Sequence, residues 1–144
     1  MVGDVPVNHG RNVTVLGALS VEGVIGSLAV EGSTTTEVFG AFIEQIVAPR
    51  LRPGQIVVLD NLSAHKAPAV QAAIEACGAH LVFLPPYSPD FSPIELCWSK
   101  IKTFVRKAAA RTREALIDAL ADALAQVRSS DARNWFAHCG YVAR

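Results

Sequence analysis

Residues 56–60 read IVVLD, and residues 80–95 read HLVFLPPYSPDFSPIE. The first segment is an unbroken apolar run that stops at an acid, which is typical of a strand buried on both faces of a parallel sheet. The second begins as a short strand and continues into a loop with four prolines in eleven residues, which is rigid and mostly extended. Ser92-Pro93 then opens a helix, because proline suits the first helical position. The two segments therefore predict two strands. Asp60 directly follows the first strand, and Glu95 lies at the end of the loop that follows the second.

The rest of the chain adds a hairpin before these segments and helices after them. Residues 13–20 and 23–30 are rich in β-branched residues and flank a Glu22-Gly23 turn, which predicts an antiparallel hairpin. Thr34 and Glu37 have the spacing of a capping box and open a helix that ends near Pro49. Helical spacing recurs at 67–77, at 112–127 and at 131–138. The helix opened by Ser92 also has this spacing, and its predicted buried stripe consists of Ile94, Cys97, Trp98, Ile101 and Val105. This order predicts an α/β fold, a mixed sheet flanked by helices.

Composition bounds the class of protein. The chain has 144 residues, of which 51% are hydrophobic and 18% charged, which is a globular composition and predicts one domain or one domain of a longer protein. Three cysteines and four histidines are scattered without zinc-site or disulfide spacing, and no apolar run reaches the length of a membrane span. We therefore expect a cytoplasmic protein with no membrane partner.

The formal net charge of zero conceals an uneven distribution. Residues 1–99 carry four basic and nine acidic residues, whereas residues 100–144 carry nine basic and four acidic ones. Six of the basic residues lie between Leu96 and Arg113, a segment without any acid: Lys100, Lys102, Arg106, Lys107, Arg111 and Arg113. A solvated helix face usually mixes both signs, so a phosphate backbone is the partner that this segment favours, with an ordinary solvated face as the alternative.

Asp60 and Glu95 each have a structural and a chemical interpretation. Asp60 ends a buried strand, where α/β sheets place their ligands, but Asp60-Asn61 is equally consistent with simple turn chemistry. Glu95 lies three residues after Ser92, so a capping box accounts for it, yet the rigid loop before it is typical of functional positioning. Paired carboxylates beside cations suit Mg²⁺ or Mn²⁺ and phosphodiester chemistry, in which two metals about 4 Å apart assist the attacking and leaving oxygens.

These motifs resemble bacterial insertion-sequence transposases of the mariner superfamily. VVLDNLSAHK at 57–66 and HLVFLPPYSPDFSPIELCWSKIK at 80–102 look like their catalytic core, and 34 residues separate Asp60 from Glu95, the spacing of the second and third acids in that superfamily. NHGRNVTVLGALSVEG and the Asn134-Trp135-Phe136 segment extend the resemblance over nearly the whole chain. These transposases are DDE-type endonucleases with a ribonuclease-H-like fold, so residues 1–144 are expected to form such a catalytic domain.

The resemblance implies roles for individual residues. Asp60 would be the second metal-binding aspartate and Glu95 the third acidic ligand, with Mg²⁺ or Mn²⁺ as cofactor. The site would be shaped by Asn61, His65, Tyr87 and Ser88, although His65 is equally explained as a helix cap. Transposon ends and target DNA would be the partners, contacted by the DNA-binding residues Lys100, Lys102, Arg106 and Lys107.

One departure from the family limits which residue roles can be transferred to this chain. The family's first catalytic aspartate lies on a strand upstream of the hairpin, and its helix-turn-helix region lies further upstream still. We expect both to be absent here and do not transfer the first-ligand role to Asp4, which lies in a turn-like stretch. The sheet is then expected to lack its central first strand, a gap that another chain in a homo-oligomer, rearranged pairing or residues 1–8 would close.

The leading hypothesis is a DDE transposase catalytic-domain fragment that binds DNA but cleaves it little. The alternative is a non-catalytic DNA-binding or oligomerising remnant of a transposase. A third hypothesis, phosphoryl transfer to a small molecule through Asp60, lacks the glycine-rich loop that would cradle the phosphate.

Overall fold

A computed structural model describes residues 1–7, 13–59, 68–84 and 92–141. Five strands form one mixed sheet in the spatial order β3-β2-β1-β4-β5. The strands are β1 (Val2–Val7), β2 (Val13–Ser20), β3 (Gly23–Glu31), β4 (Ile56–Leu59) and β5 (His80–Phe83). β1, β2 and β3 pair antiparallel, whereas β4 runs parallel to both β1 and β5.

The central position of the sheet is filled by the N-terminal residues of this chain. β1 pairs with β2 over six residues, from Val2 opposite Ala18 to Val7 opposite Val13, and Met1 extends this ladder through two hydrogen bonds with Leu19, of 2.7 and 2.9 Å. Val2 and Val5 are buried on opposite faces of the sheet, which secures the strand from both sides. Of the three expected ways to close the gap left by the family's first strand, the one by residues 1–8 is therefore confirmed, since Val2–Val7 form the central strand, whereas the expectation of a turn-like stretch around Asp4 is wrong.

The helices cover both faces of the sheet. They are α1 (Thr36–Phe42), which continues as a π-helical turn (Ile43–Val47) and a 3₁₀ turn (Ala48–Arg50), α2 (Pro68–Glu75), α3 (Pro93–Ala108), α4 (Arg113–Ala125) and α5 (Ser129–His138). One core lies between the sheet and α1 with α2, and contains Phe39, Phe42 and Ile74. The other lies between the sheet and α3, α4 and α5, and contains Trp98 and Leu120.

The predicted elements are confirmed with small shifts of their ends. The hairpin, the strand at 56–59 and the later helices lie where the sequence placed them, and the whole predicted stripe of α3 is buried. One cap is different: the side chain of Thr35, rather than Thr34, accepts a hydrogen bond from the Val38 amide, at 3.2 Å. Thr34 Oγ1 is instead buried without a partner in the described part of the chain.

Candidate active site

The carboxyl end of β4 is fixed by both of its neighbours in the sheet. Val2 of β1 is paired with Leu59, and the Leu84 amide donates a 2.7 Å hydrogen bond to the Leu59 carbonyl. Leu59 itself is fully buried. The carboxyl ends of β4 and β5 meet at one edge of the sheet, where Leu59 pairs with Phe83, and Val2 at the beginning of β1 lies beside them. Asp60 is the next residue of the chain, so the candidate site begins at this edge.

Several predicted site residues lie outside the described residues. Asp60, Asn61 and His65 fall in the segment 60–67 that follows β4, and Tyr87 and Ser88 fall in the segment 85–91 that precedes α3. Their roles therefore stay predictions, and the ends of β4, β5 and α3 define the frame around them.

Glu95 lies in the first turn of α3 and is exposed. The helix begins as the sequence predicted, with Ser92 as the N-cap and Pro93 at the first helical position. The Ser92 side chain, however, makes no capping hydrogen bond to the helix. The half of the capping box that Ser92 would supply is therefore not formed.

The first turn of α3 lies directly over β1. A Cβ built on Gly3 would be 3.5 Å from Ile94 Cγ2 and 3.7 Å from Trp98 Nε1. Gly3 comes one residue after Val2, the residue paired with Leu59. Ile94 adjoins Glu95 in sequence, so the turn that carries Glu95 is placed at the same sheet edge at which β4 ends before Asp60. The frame thus places the turn that carries Glu95 beside the end of β4, the strand that precedes Asp60 in the chain.

β1 presents a glycine, not an acid, toward this turn. Successive side chains of a strand point to opposite faces, and Gly3 and Val5 face α3. Asp4 therefore shares the opposite face with Val2, which packs against the α1 and α2 side of the sheet. This placement agrees with withholding the first-ligand role from Asp4.

Trp98 sets the height of α3 above the sheet. It follows Glu95 by three residues and is buried against Gly17 of β2, where an added Cβ would lie 2.6 Å from its Cη2. Its Nε1 has no hydrogen-bond partner among the described residues. The closeness of the indole to the backbone requires glycine at position 17, a packing role that glycine in a strand often has. Sequence reasoning placed Trp98 in the core and missed this contact.

The predicted DNA-binding residues divide between two flanks of α3. Glu95, Ser99, Lys102 and Arg106 follow one another at helical spacing on one flank, which we call the Glu95 flank; Arg106 is exposed and Lys102 partly so. Lys100 and Lys107 lie on the other flank, where they line a groove between α3 and α5. The two neighbouring rows that helical spacing predicts for these cations thus differ in their surroundings, because only the row with Lys100 and Lys107 borders α5.

Lys100 has a partner that the sequence did not reveal. Its Nζ lies 2.7 Å from Asp131 Oδ2 and donates a second hydrogen bond, of 3.0 Å, to the Gln126 carbonyl. Asp131 Oδ2 also accepts a hydrogen bond from the Arg128 amide, so it caps α5. The hydrogen bond from Lys100, and next that from the Arg128 amide, lower the pKa of Asp131. Lys100 thus joins α3 to the beginning of α5.

The donor chemistry at the sheet edge fits a hard divalent cation. The two predicted ligands are carboxylates, the ligand type that Mg²⁺ and Mn²⁺ prefer. Cys97, the cysteine next to this turn in α3, is buried, and burial raises its thiol pKa to about 12, so it offers no thiolate. Within residues 1–7, 13–59, 68–84 and 92–141, no three His, Cys, Asp or Glu side chains group closely enough to hold a metal ion.

The sheet order and the helices on both faces define a ribonuclease-H-like α/β fold, the fold of transposase catalytic domains. The family comparison is specific: residues 2–117 match the family model of the DDE superfamily endonucleases. The chain belongs to this family.

Solved structures with the same fold include transposases and a viral intasome. A Mos1 transposase catalytic domain with raltegravir and manganese superposes with a TM-score of 0.83 at 15% identity, over 96% of this chain and 75% of that one. The Mos1 strand transfer complex gives 0.72 at 18% identity, over 94% and 42%. The intasome of simian T-cell lymphotropic virus in complex with a PP2A regulatory subunit gives 0.60 at 18%, over 83% and 45%. At these identities the likeness establishes the fold.

Two further comparisons give negative results. No curated protein matches the chain significantly. Among the helices of the described segments, none combines the length and the apolar character that crossing a bilayer requires.

Proposed function

We propose that the chain is the catalytic domain of a metal-dependent DDE transposase that acts on DNA, with Asp60 and Glu95 as ligands of Mg²⁺ or Mn²⁺. The observation that carries the proposal is the placement of the α3 turn that bears Glu95 over β1, beside the end of β4. Other members of the fold support the choice of metal, since Mos1 catalytic domains have been solved with Mn and with Mg.

The chain's own residues would bind and orient the DNA. The metal, when bound, supplies the charge that activates a water for attack on a phosphodiester and stabilises the departing oxygen. Lys102 and Arg106 continue the Glu95 flank along α3, so they would hold the phosphates of a strand whose scissile bond lies at Glu95. Asn61, His65, Tyr87 and Ser88 would shape the site from the two adjoining loops.

We further propose that the 144-residue chain binds DNA well and cleaves it little. Two-metal phosphodiester chemistry in this family uses three acids, and β1 directs Gly3 rather than an acid toward the α3 turn. Asp4 shares the other face of the sheet with Val2, so we do not propose it as the first of these three acids. The same observation favours the second candidate function, a DNA-binding or oligomerising remnant without catalysis.

The partner class follows from relatives that have been solved with DNA. Mos1 transposase forms a paired-end complex with its left transposon end and a strand transfer complex. By extension, we propose that this chain binds transposon ends and target DNA as a homo-oligomer. The proposed setting is a bacterial insertion sequence in the cytoplasm.

Two assays on purified chain separate these functions. Plasmid nicking in Mg²⁺ or Mn²⁺ is expected to be weak, and any nicking is expected to vanish in Asp60→Asn and in Glu95→Gln. DNA affinity is expected to survive both substitutions and to fall in a Lys102→Gln/Arg106→Gln double variant. Efficient nicking that persists in Asp60→Asn would overturn the assignment of the site, and absence of any DNA binding would overturn both candidate functions.

A further inference from the structure

The flank of α3 that carries Lys100 and Lys107 forms a groove with α5. Its volume is about 570 Å³, and Lys100 and Asp131, joined by their ion pair, form part of its lining. The groove is further lined by Ser99, Thr103, Phe104, Lys107 and Trp135. Phe104 and Trp135 are half-buried, so each keeps part of its ring accessible, while Lys107 is exposed.

The charge of this surface points to an anionic occupant. Asp131, the acid in the groove lining, is neutralised by Lys100. Lys107 therefore gives the groove lining a net positive charge. Such a surface is complementary to a polyanion.

The aromatic residues of the groove narrow the class of polyanion. Single-stranded nucleic acid is bound by cations that follow the backbone and by aromatic rings on which unpaired bases stack. A duplex hides its base faces and would use only the cation. Lys107 provides the charge, Trp135 and Phe104 provide ring surface, and Ser99 and Thr103 add polar lining.

We propose that the α3–α5 groove binds an unpaired segment of DNA, with a phosphate at Lys107 and a base against Trp135. The inference rests on the proposed function and extends it: strands separated at the Glu95 flank pass over the ridge of α3 into this groove. The Lys100–Asp131 pair then acts as a positioning element, because it fixes α5, and with it Trp135, against α3.

The test is the affinity of the full 144-residue chain for a labelled single-stranded oligothymidylate and for a duplex, measured by fluorescence anisotropy over a range of salt concentrations. Lys107→Gln is expected to reduce the salt-dependence slope for the single strand by about 0.7, the value for one phosphate contact. Trp135→Leu is expected to weaken single-strand binding about tenfold and duplex binding much less. Arg133→Gln, the same charge change on α5 outside the groove, is the matched control and is expected to leave single-strand binding unchanged.

Trp135→Phe keeps a stacking ring and guards against a folding defect. Its affinity is expected to stay near that of the wild type, while the quenching of tryptophan emission by the oligonucleotide disappears, since Trp98 is buried. Equal effects of Lys107→Gln and Arg133→Gln, or unchanged affinity in Trp135→Leu, would overturn the inference. So would a change of oligomeric state in Trp135→Leu without loss of affinity, which would make the groove a protein interface. If the wild type binds no DNA, the proposed function itself fails; if binding depends on Lys102 and Arg106 alone, only this inference fails.

Discussion

Trp98 packs on the backbone of Gly17 so closely that a Cβ on the glycine would lie 2.6 Å from Cη2 of the indole. This contact joins α3 to β2 at one point and fixes the distance between the helix and the sheet. Because Glu95 lies three residues before Trp98, the contact also fixes the position of the acid-bearing turn. Packing in the core and geometry at the sheet edge are therefore linked.

Gly17→Ala is expected to destabilise the fold by about 1–3 kcal/mol, the usual cost of forcing atoms into a packed core. Urea unfolding measures the change in the free energy of unfolding. Metal binding at the sheet edge is expected to weaken as well, since α3 must move away from the sheet to admit the methyl group.

Gly40→Ala is the control for the Gly17 substitution. Gly40 lies inside α1, and an added Cβ there would meet no atom within 4 Å. Alanine is expected to stabilise this helix by up to about 1 kcal/mol. An unchanged free energy of unfolding in Gly17→Ala would contradict the account of Trp98.

Neighbouring threonines at the start of α1 are expected to respond in opposite directions. Thr35→Ala removes the hydroxyl that caps the Val38 amide and is expected to cost about 1 kcal/mol. Thr34→Val replaces a buried hydroxyl that has no partner in the described chain and is expected to be neutral or stabilising. Thermal unfolding of both variants measures the two changes in stability. A larger loss of stability in Thr34→Val than in Thr35→Ala would place the cap at Thr34.

The Lys100–Asp131 pair predicts a pH-dependent contribution to stability. Hydrogen bonding to Lys100 lowers the pKa of Asp131 below its ordinary 3.8, so the stabilisation is present above that value and is lost as the pH falls through the lower folded-state value. Asp131→Asn keeps an oxygen that can accept from the Arg128 amide but loses the charge, and it is expected to cost at most about 1 kcal/mol at neutral pH.

The free-energy difference between wild type and Asp131→Asn, followed by urea unfolding across pH, checks this prediction. This free-energy difference is expected to stay constant down to about pH 5 and to fall toward zero at lower pH. Asp131→Ala, which also removes the cap of α5, is expected to cost more than Asp131→Asn at every pH above that range. A difference independent of pH down to pH 2 would show that the charge contributes nothing.

The elements that the sequence predicted well are those with strong local signals. The apolar run before Asp60 and the helical stripe from Ile94 to Val105 each specify a type of element and a buried face. Pro93 likewise marks the beginning of α3. These signals sufficed to predict the end of β4 before Asp60 and the first turn of α3, which carries Glu95.

β1 could not be predicted in the same way because its stability comes from its neighbours. Gly3 and Pro6 have poor strand propensity, and Pro6 lacks an amide hydrogen to donate. The strand tolerates Pro6 because it pairs with β4 only at Val2, so at Pro6 the side toward β4 is in effect an edge. Pairing with β2 and burial of Val2 and Val5 outweigh the local preferences.

The Lys100–Asp131 pair could not be predicted from the sequence for a similar reason. The partners are separated by 31 positions, and only the packing of α5 on α3 brings them together. The helical pattern of α3 placed Lys100 in a basic row and gave no sign of an acid opposite it. Three-dimensional packing thus divides a charge pattern that is continuous in the sequence.

Binding of Mn²⁺ by the purified chain tests most directly whether Asp60 and Glu95 form one metal site. Isothermal titration is expected to show binding that falls at least about tenfold in Asp60→Asn and equally in Glu95→Gln, because each variant removes a charged ligand. Asp118→Asn, at an exposed acid of α4, is the control and is expected to bind as the wild type does. Mn²⁺ affinity that is unchanged in Asp60→Asn or in Glu95→Gln would contradict the account.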